Sequence, residues 1–141
     1  PTAFSIPELK RFPSRSQITH LACEEGWSYI AEWTGVPLLY VLNEAGISPR
    51  ARYIVYSSLE KDWWDSIDLD DALHPQTLLS YGLNGQDLPA DNGGPLRMRV
   101  PRQLGYKSVK YINRIVAVDD LKKLTTASGS PDSGYAWWAG I

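Results

Sequence analysis

The chain of 141 residues contains a single cysteine, Cys23, and only two histidines, His20 and His74. One thiol excludes an internal disulfide. A structural zinc site asks for four nitrogen or sulfur ligands, which this set does not supply. There is no C-x-x-C-H word for covalent haem attachment. No apolar run reaches the ~20 residues that span a bilayer. The opening residues also lack the basic, apolar and small-residue pattern of a secretory leader, which leaves the compartment open. Acidic residues are missing from one long stretch, with no Asp or Glu from Asn92 to Val118.

What is present is ordinary in bulk and uneven in detail. Hydrophobic residues make up 43% and charged residues 21%, as in a typical globular domain, and the length suits one core. The six tryptophans and eight tyrosines are many for this length, and they serve either a core or a pocket for a flat ligand. The net charge of −2 conceals two opposite runs. The acid-free stretch holds Arg97, Arg99, Arg102, Lys107, Lys110 and Arg114, whereas Glu60, Asp62, Asp65, Asp68, Asp70 and Asp71 face only Lys61. A basic run confined to one place suggests one discrete anionic ligand more than a long polyanion, and a solvated strand edge is the plainer explanation.

Local patterns predict a strand-rich α+β domain over 1–141 with long connections. Ser5 and Glu8 form a capping box for a short helix in "SIPELKRF", with Pro7 in its first turn. "QITHLA" reads as a strand leading to Cys23. "VPLLYVLNEAG" reads as a helix with Val36, Leu39, Leu42 and Ala45 on one side and Gly46 as its stop. "RYIVYSS", "PLRMRVP" and "VKYINRIVAVDD" read as strands, and "SIDLDDALHP" as a short acidic helix ending before Pro75. Asn84-Gly85 between apolar residues marks a hairpin. The tail "TTASGSPDSG" has a flexible composition, but the aromatic "YAWWAGI" after it is expected to dock back on the domain.

Cys23 lies in "THLACEEGWSYIAEW", beside Glu24 and Glu25. A nucleophilic cysteine wants neighbouring cations, and these carboxylates oppose a thiolate, although His20 offers partial compensation. A metal-bound thiolate escapes that objection, because the metal deprotonates the thiol whatever its neighbours. A buried, inert cysteine acting as a small hydrophobe is the commonest fate of a lone thiol.

The words "CEEGWS…WTGVPL", "HPQTLLSYGLNG", "NGGPLRMRVPRQLGYKSVKYI" and "GYAWWAGI", in this order, resemble the molybdopterin-binding domain of the sulfite oxidase family. The likeness covers nearly the whole chain and is nearest to the bacterial members, including the methionine sulfoxide reductase branch. It implies a molybdenum–molybdopterin cofactor, with the Cys23 sulfur as metal ligand. It further implies cofactor contacts from Ser58, from Asn92 and Arg97 in "NGGPLR", and from Ser108, Val109 and Lys110 in "KSVK" at the phosphate end. Backbone amides, a hydroxyl and cationic side chains are also what a phosphate requires on chemical grounds. Gly93, Gly94 and Gly105 would let backbone approach the ligand or simply make turns. Lys107 and Arg99 are equally compatible with facing solvent.

Two departures from the family pattern bear on function. Where animal and plant sulfite oxidases carry a basic "GNRR"-like stretch after the cysteine, this chain reads "EEGWS". A neutral sulfoxide or other neutral oxo-acceptor therefore fits better than sulfite. The start "PTAFSIPELKRFP" also resembles a point already inside the domain, without the family's upstream segment. Trp27, Trp33 and Tyr81 are candidates for the pocket border, with core packing the default for Trp33. Trp63 and Trp64 are candidates for exposure at a rim or partner surface. His20 is a candidate proton donor, or an ordinary strand histidine.

The resulting expectation is an oxygen-atom-transferring oxidoreductase acting on a small-molecule substrate. Its electrons would be exchanged with an external partner such as a haem protein. A metal-free relative that keeps the fold as an interaction module is the alternative. Single-stranded nucleic acid binding is opposed by the negative net charge and the confinement of the basic run.

Overall fold

A computed structural model of the chain describes residues 2–22, 28–60, 63–103 and 107–121, with backbone alone at 20–22, 28 and 29. The elements run α1 (Ile6–Leu9), β1 (Arg15–Ala22), β2 (Ser28–Pro37), α2 (Leu38–Ala45), β3 (Tyr53–Ser58), β4 (Trp64–Asp68), α3 (Leu69–Ala72), β5 (Leu78–Leu83), β6 (Gln86–Asp87), β7 (Arg97–Arg99) and β8 (Ile112–Val118). A 3-10 turn at Ala90–Asn92 precedes β7. The strands form two sheets. The larger has the order β1-β2-β5-β6, with β7 also paired to β5, and the smaller has the order β4-β3-β8. Every pairing is antiparallel. The fold class is thus α+β with strands dominant, as the sequence predicts.

Local chemistry accounts for most element ends. The Ser5 hydroxyl accepts from the Glu8 amide while Glu8 accepts from the Ser5 amide, which completes the capping box of α1. Asn84 and Gly85, at φ 51° and 82°, adopt the left-handed pair that a two-residue hairpin needs between β5 and β6. Gly46 ends α2 at φ 72°. Asp68 caps α3 by accepting from the Asp71 amide.

Some expectations are corrected. β2 is a ten-residue strand that was not foreseen, and it runs straight into α2. Val36 therefore belongs to the strand, and the buried side of α2 is Leu38, Val41 and Leu42, with Leu39 half-buried and Ala45 exposed. Ser66, Ile67 and Asp68, assigned to a helix from sequence, close β4 instead, and only Leu69–Ala72 is helical. Trp63 and Trp64 are half-buried rather than exposed. "YAWWAGI" lies outside the described residues.

One hydrophobic cluster draws on both sheets and α2: Val36, Leu79, Leu96 and Met98 meet Ile54, Tyr56, Ile67 and Ile112, with Leu38, Val41 and Leu42 over them. The strand period of two sends Met98 into this cluster and its neighbours Arg97 and Arg99 to the opposite face, against Trp33.

Candidate cofactor pocket

The segment 107–111 passes between the two sheets, and the candidate site is built on it. A cavity of about 280 Å³ is lined by Ser58 from the end of β3, by Arg97 from β7 and by Ser108, Val109 and Lys110. Glu60 and Trp63 complete its wall. Five residues singled out from the sequence for cofactor contact, scattered from 58 to 110, are thereby gathered round one space.

Each is held there by identifiable contacts. Arg97 lies over the Trp33 ring, its guanidinium carbon 5.3 Å from the centroid. Its Nε donates to the Ser108 carbonyl at 2.8 Å and its Nη1 to the Asn92 carbonyl at 3.1 Å. Asn92 itself does not line the cavity; its carbonyl helps to orient the arginine that does. The Ser108 hydroxyl accepts from the Val100 amide and from Arg99 Nη1, each at 3.1 Å, so it is turned partly inward. Lys110 Nζ donates to the Asp91 carbonyl at 3.0 Å. No carboxylate lies within ion-pair distance of it among the described residues, although Glu60 stands in the same cavity wall. Ser58 follows a register shift between β3 and β8, a bulge of the kind that re-aims side chains beside sites. Its hydroxyl accepts from the Glu60 amide at 3.0 Å.

Of the two readings open for Gly93, turn geometry holds: it ends the 3-10 turn in the left-handed region. Its φ is +104°, and a Cβ there would lie 2.7 Å from Lys110 Cγ and 3.0 Å from Arg97 Cδ. The glycine makes room for the stems of the two cations rather than for a ligand. A Cβ on Gly94 would collide with the Leu88 carbonyl, again a matter of internal packing. Gly105 lies outside the described residues.

Sequence reasoning left Lys107 and Arg99 open between ligand contact and solvent, and both are buried, with 1% and 0% exposure. Lys107 Nζ donates to Asp65 Oδ1 at 2.7 Å and to the Ser66 carbonyl at 2.8 Å. Burial pushes the Asp65 carboxyl up to about 6 against the pull of Lys107, and burial also lowers Lys107. Arg99 shares the Trp33 ring with Arg97, at 5.0 Å, and its Nη2 donates to Thr19 Oγ1 at 2.7 Å. Arg102 pairs with Asp71 at 3.2 Å. The basic run is therefore not a uniform ligand patch, and only Arg114, exposed on the edge strand β8, matches the solvated edge. Its members at 102 and 107 meet members of the acidic run, while those at 97 and 110 face the cavity. The alternation of Arg97, Met98 and Arg99 was the available signal that Arg99 shares a face with Arg97; nothing local marks Lys107.

Other candidates fall elsewhere. Tyr81 packs on the main core with the Lys10 ammonium 5.5 Å above its ring, away from the cavity. Trp33 is fully buried, and Trp63 stands in the cavity wall. Cys23 and Trp27 lie outside the described residues, as does the side chain of His20; β1 ends immediately before Cys23. Among the described residues no group of three or more His, Cys, Asp or Glu is arranged to hold a metal.

Residues 1–125 match the family model described as "Oxidoreductase molybdopterin binding domain". The chain belongs to this family. It is 38% identical over 138 residues to the putative protein-methionine-sulfoxide reductase subunit YedZ1 of Azospira oryzae, covering 98% of this chain and 51% of that protein. The catalytic subunit MsrP of the protein-methionine-sulfoxide reductase of Ralstonia nicotianae is 37% identical, covering all of this chain and 47% of its own length. The molybdopterin-binding chain thus spans about half the length of these relatives. The sulfane dehydrogenase SoxCD of Paracoccus pantotrophus shares its fold, with a TM-score of 0.79 at 23% identity over 92% of this chain and 36% of that one. These likenesses place the chain in the sulfite oxidase type of molybdopterin-binding domain, on the side of the methionine sulfoxide reductases.

The cavity suits the anionic end of such a cofactor. Arg97 and Lys110 bring two cations to it and hydroxyls stand at Ser58 and Ser108, against the single carboxylate of Glu60 in the same wall. Among the described residues, no helix is long and apolar enough to cross a membrane.

Proposed function

We propose that this chain carries the cofactor site of a molybdenum–molybdopterin oxidoreductase, with the Cys23 sulfur as metal ligand and a neutral oxo compound as substrate. The observation that carries the reading is the convergence of Ser58, Arg97, Ser108, Val109 and Lys110 on one cavity. When bound, the molybdenum centre supplies two-electron oxygen-atom transfer, the chemistry that protein side chains lack. The residues of the chain bind and orient it. Arg97 and Lys110 neutralise the phosphate end, Arg97 being fixed in place by Trp33 and two carbonyls. Ser58 offers a hydroxyl from the bulged end of β3, and the 108–110 segment offers backbone and hydroxyl groups.

The neutral substrate is supported by the acidic "EEGWS" after Cys23, which would repel an oxyanion. The names of the relatives, which specify protein methionine sulfoxide, agree in kind. Electrons would be exchanged with an external partner, a haem protein being the form proposed. Cys23→Ser tests the ligand assignment. It is expected to abolish sulfoxide reduction while the melting temperature stays close to that of the parent. Full activity with molybdenum still bound would refute it.

One observation favours a metal-free interaction module as the second reading. Ile18 and Ile30 are 71% and 72% exposed on the paired strands β1 and β2. A purified chain that is stable, colourless and free of molybdenum would support that reading.

A further inference from the structure

We infer that Asp65 and Lys107 are positioning residues for the cavity: their buried ion pair clamps the 107–110 segment to the smaller sheet and so sets the wall that faces the ligand. The inference rests on the reading of this cavity as an anion site, but its geometry stands independently.

The segment is held from two sides. From the smaller sheet, Asp65 and Ser66 of β4 grip Lys107 Nζ at 2.7 and 2.8 Å. Tyr56 of β3 donates its hydroxyl to the Lys107 carbonyl at 2.7 Å. From the larger sheet, Arg97 Nε holds the Ser108 carbonyl, the Val100 amide and Arg99 hold the Ser108 hydroxyl, and the Met98 amide donates to the Val109 carbonyl at 3.0 Å. Residues 108, 109 and 110, immediately beyond the clamp, line the cavity. Neither Asp65 nor Lys107 lines it. A side chain that is 1% exposed and bonded to a different sheet has no route to the ligand, and its action is on the backbone that follows.

An ion pair suits this task better than apolar packing. Its hydrogen bonds fix Lys107 Nζ to particular oxygens, whereas an apolar pair of similar volume fills the space without fixing a register. Replacing a buried pair by apolar residues commonly preserves stability, and this separates positioning from mere support.

The experiment compares the parent chain with Lys107→Met, with the double replacement Asp65→Leu/Lys107→Met, and with Tyr56→Phe as a mild variant that keeps the ion pair. Hydrogen exchange at the Met98 and Val100 amides reports the seating of the segment, because both donate to it. Titration with inorganic pyrophosphate reports the cavity. The inference predicts, for the double replacement, a melting temperature near the parent's, exchange at both amides at least tenfold faster, and pyrophosphate affinity about tenfold weaker. Tyr56→Phe should shift both readouts in the same direction by a smaller factor. A double replacement with parental exchange and parental affinity overturns the clamp. Faster exchange in chains none of which binds pyrophosphate upholds the clamp and removes the anion-site reading instead.

Discussion

Lys107 carries its charge into a place with 1% exposure and pairs there with the Asp65 carboxylate. Burial raises the Asp65 carboxyl from 3.8 to about 6, while Lys107 pulls it down. A carboxyl raised in the folded state binds extra protons there. Its stabilising contribution is complete below the unfolded value and is lost as pH rises through the folded one, here about 6. Lys107→Met removes the opposing pull and leaves a buried carboxylate alone. The variant is expected to lose about 3–5 kcal/mol at neutral pH and to regain part of this on acidification towards pH 5. Denaturant unfolding at both pH values checks the prediction, and an equal loss at each would contradict it. Gly93 makes a second point at this scale. Gly93→Ala would strain a φ of +104° and press on the stems of Lys110 and Arg97. It should cost roughly 1–3 kcal/mol and reduce cofactor content, read by melting temperature and pterin analysis.

Elements whose signal is local were legible in the sequence. The Ser5–Glu8 box, the Asn84-Gly85 turn and Gly46 each need only neighbours within a few positions, and each appears where the pattern put it. β2 was hidden because it runs into α2 without a break, so that its last residues, Val36 and Pro37, were read as the start of the helix. The buried side of α2 moved by one position for the same reason. Of the candidate site, Ser58, Asn92, Arg97, Ser108, Val109 and Lys110 were readable through family words, and the structure gathers all of these but Asn92 round the cavity. The Lys107–Asp65 contact, 42 residues apart, has no periodic or local mark, so only the folded chain discloses it. The hairpin offers a test at this scale. Gly85→Ala, at φ 82°, should destabilise the chain by about 1 kcal/mol without changing cofactor content, because β6 lies away from the cavity.

Across the whole molecule, the two opposite charge runs explain each other. Asp65 takes Lys107, Asp71 takes Arg102, and Arg99 is buried against Trp33. Much of the basic run is thus spent inside the fold, and a gel shift with mixed oligonucleotides is expected to show no binding even at low salt. Two cations of the run, Arg97 and Lys110, face the cavity, while Arg114 is exposed on β8 away from it. Arg97 is buried, so Arg97→Ala would disturb packing as well as binding. Lys110 is half-exposed and, among the described residues, its side chain makes one hydrogen bond, to a carbonyl, which makes it the cleaner probe. The most direct measurement is therefore the molybdopterin and molybdenum content of the chain and of Lys110→Ala, both expressed in a host that makes the cofactor. The account predicts near-stoichiometric cofactor in the parent and several-fold less in the variant, at similar melting temperatures. No cofactor in the parent, or equal content in the two, would contradict it.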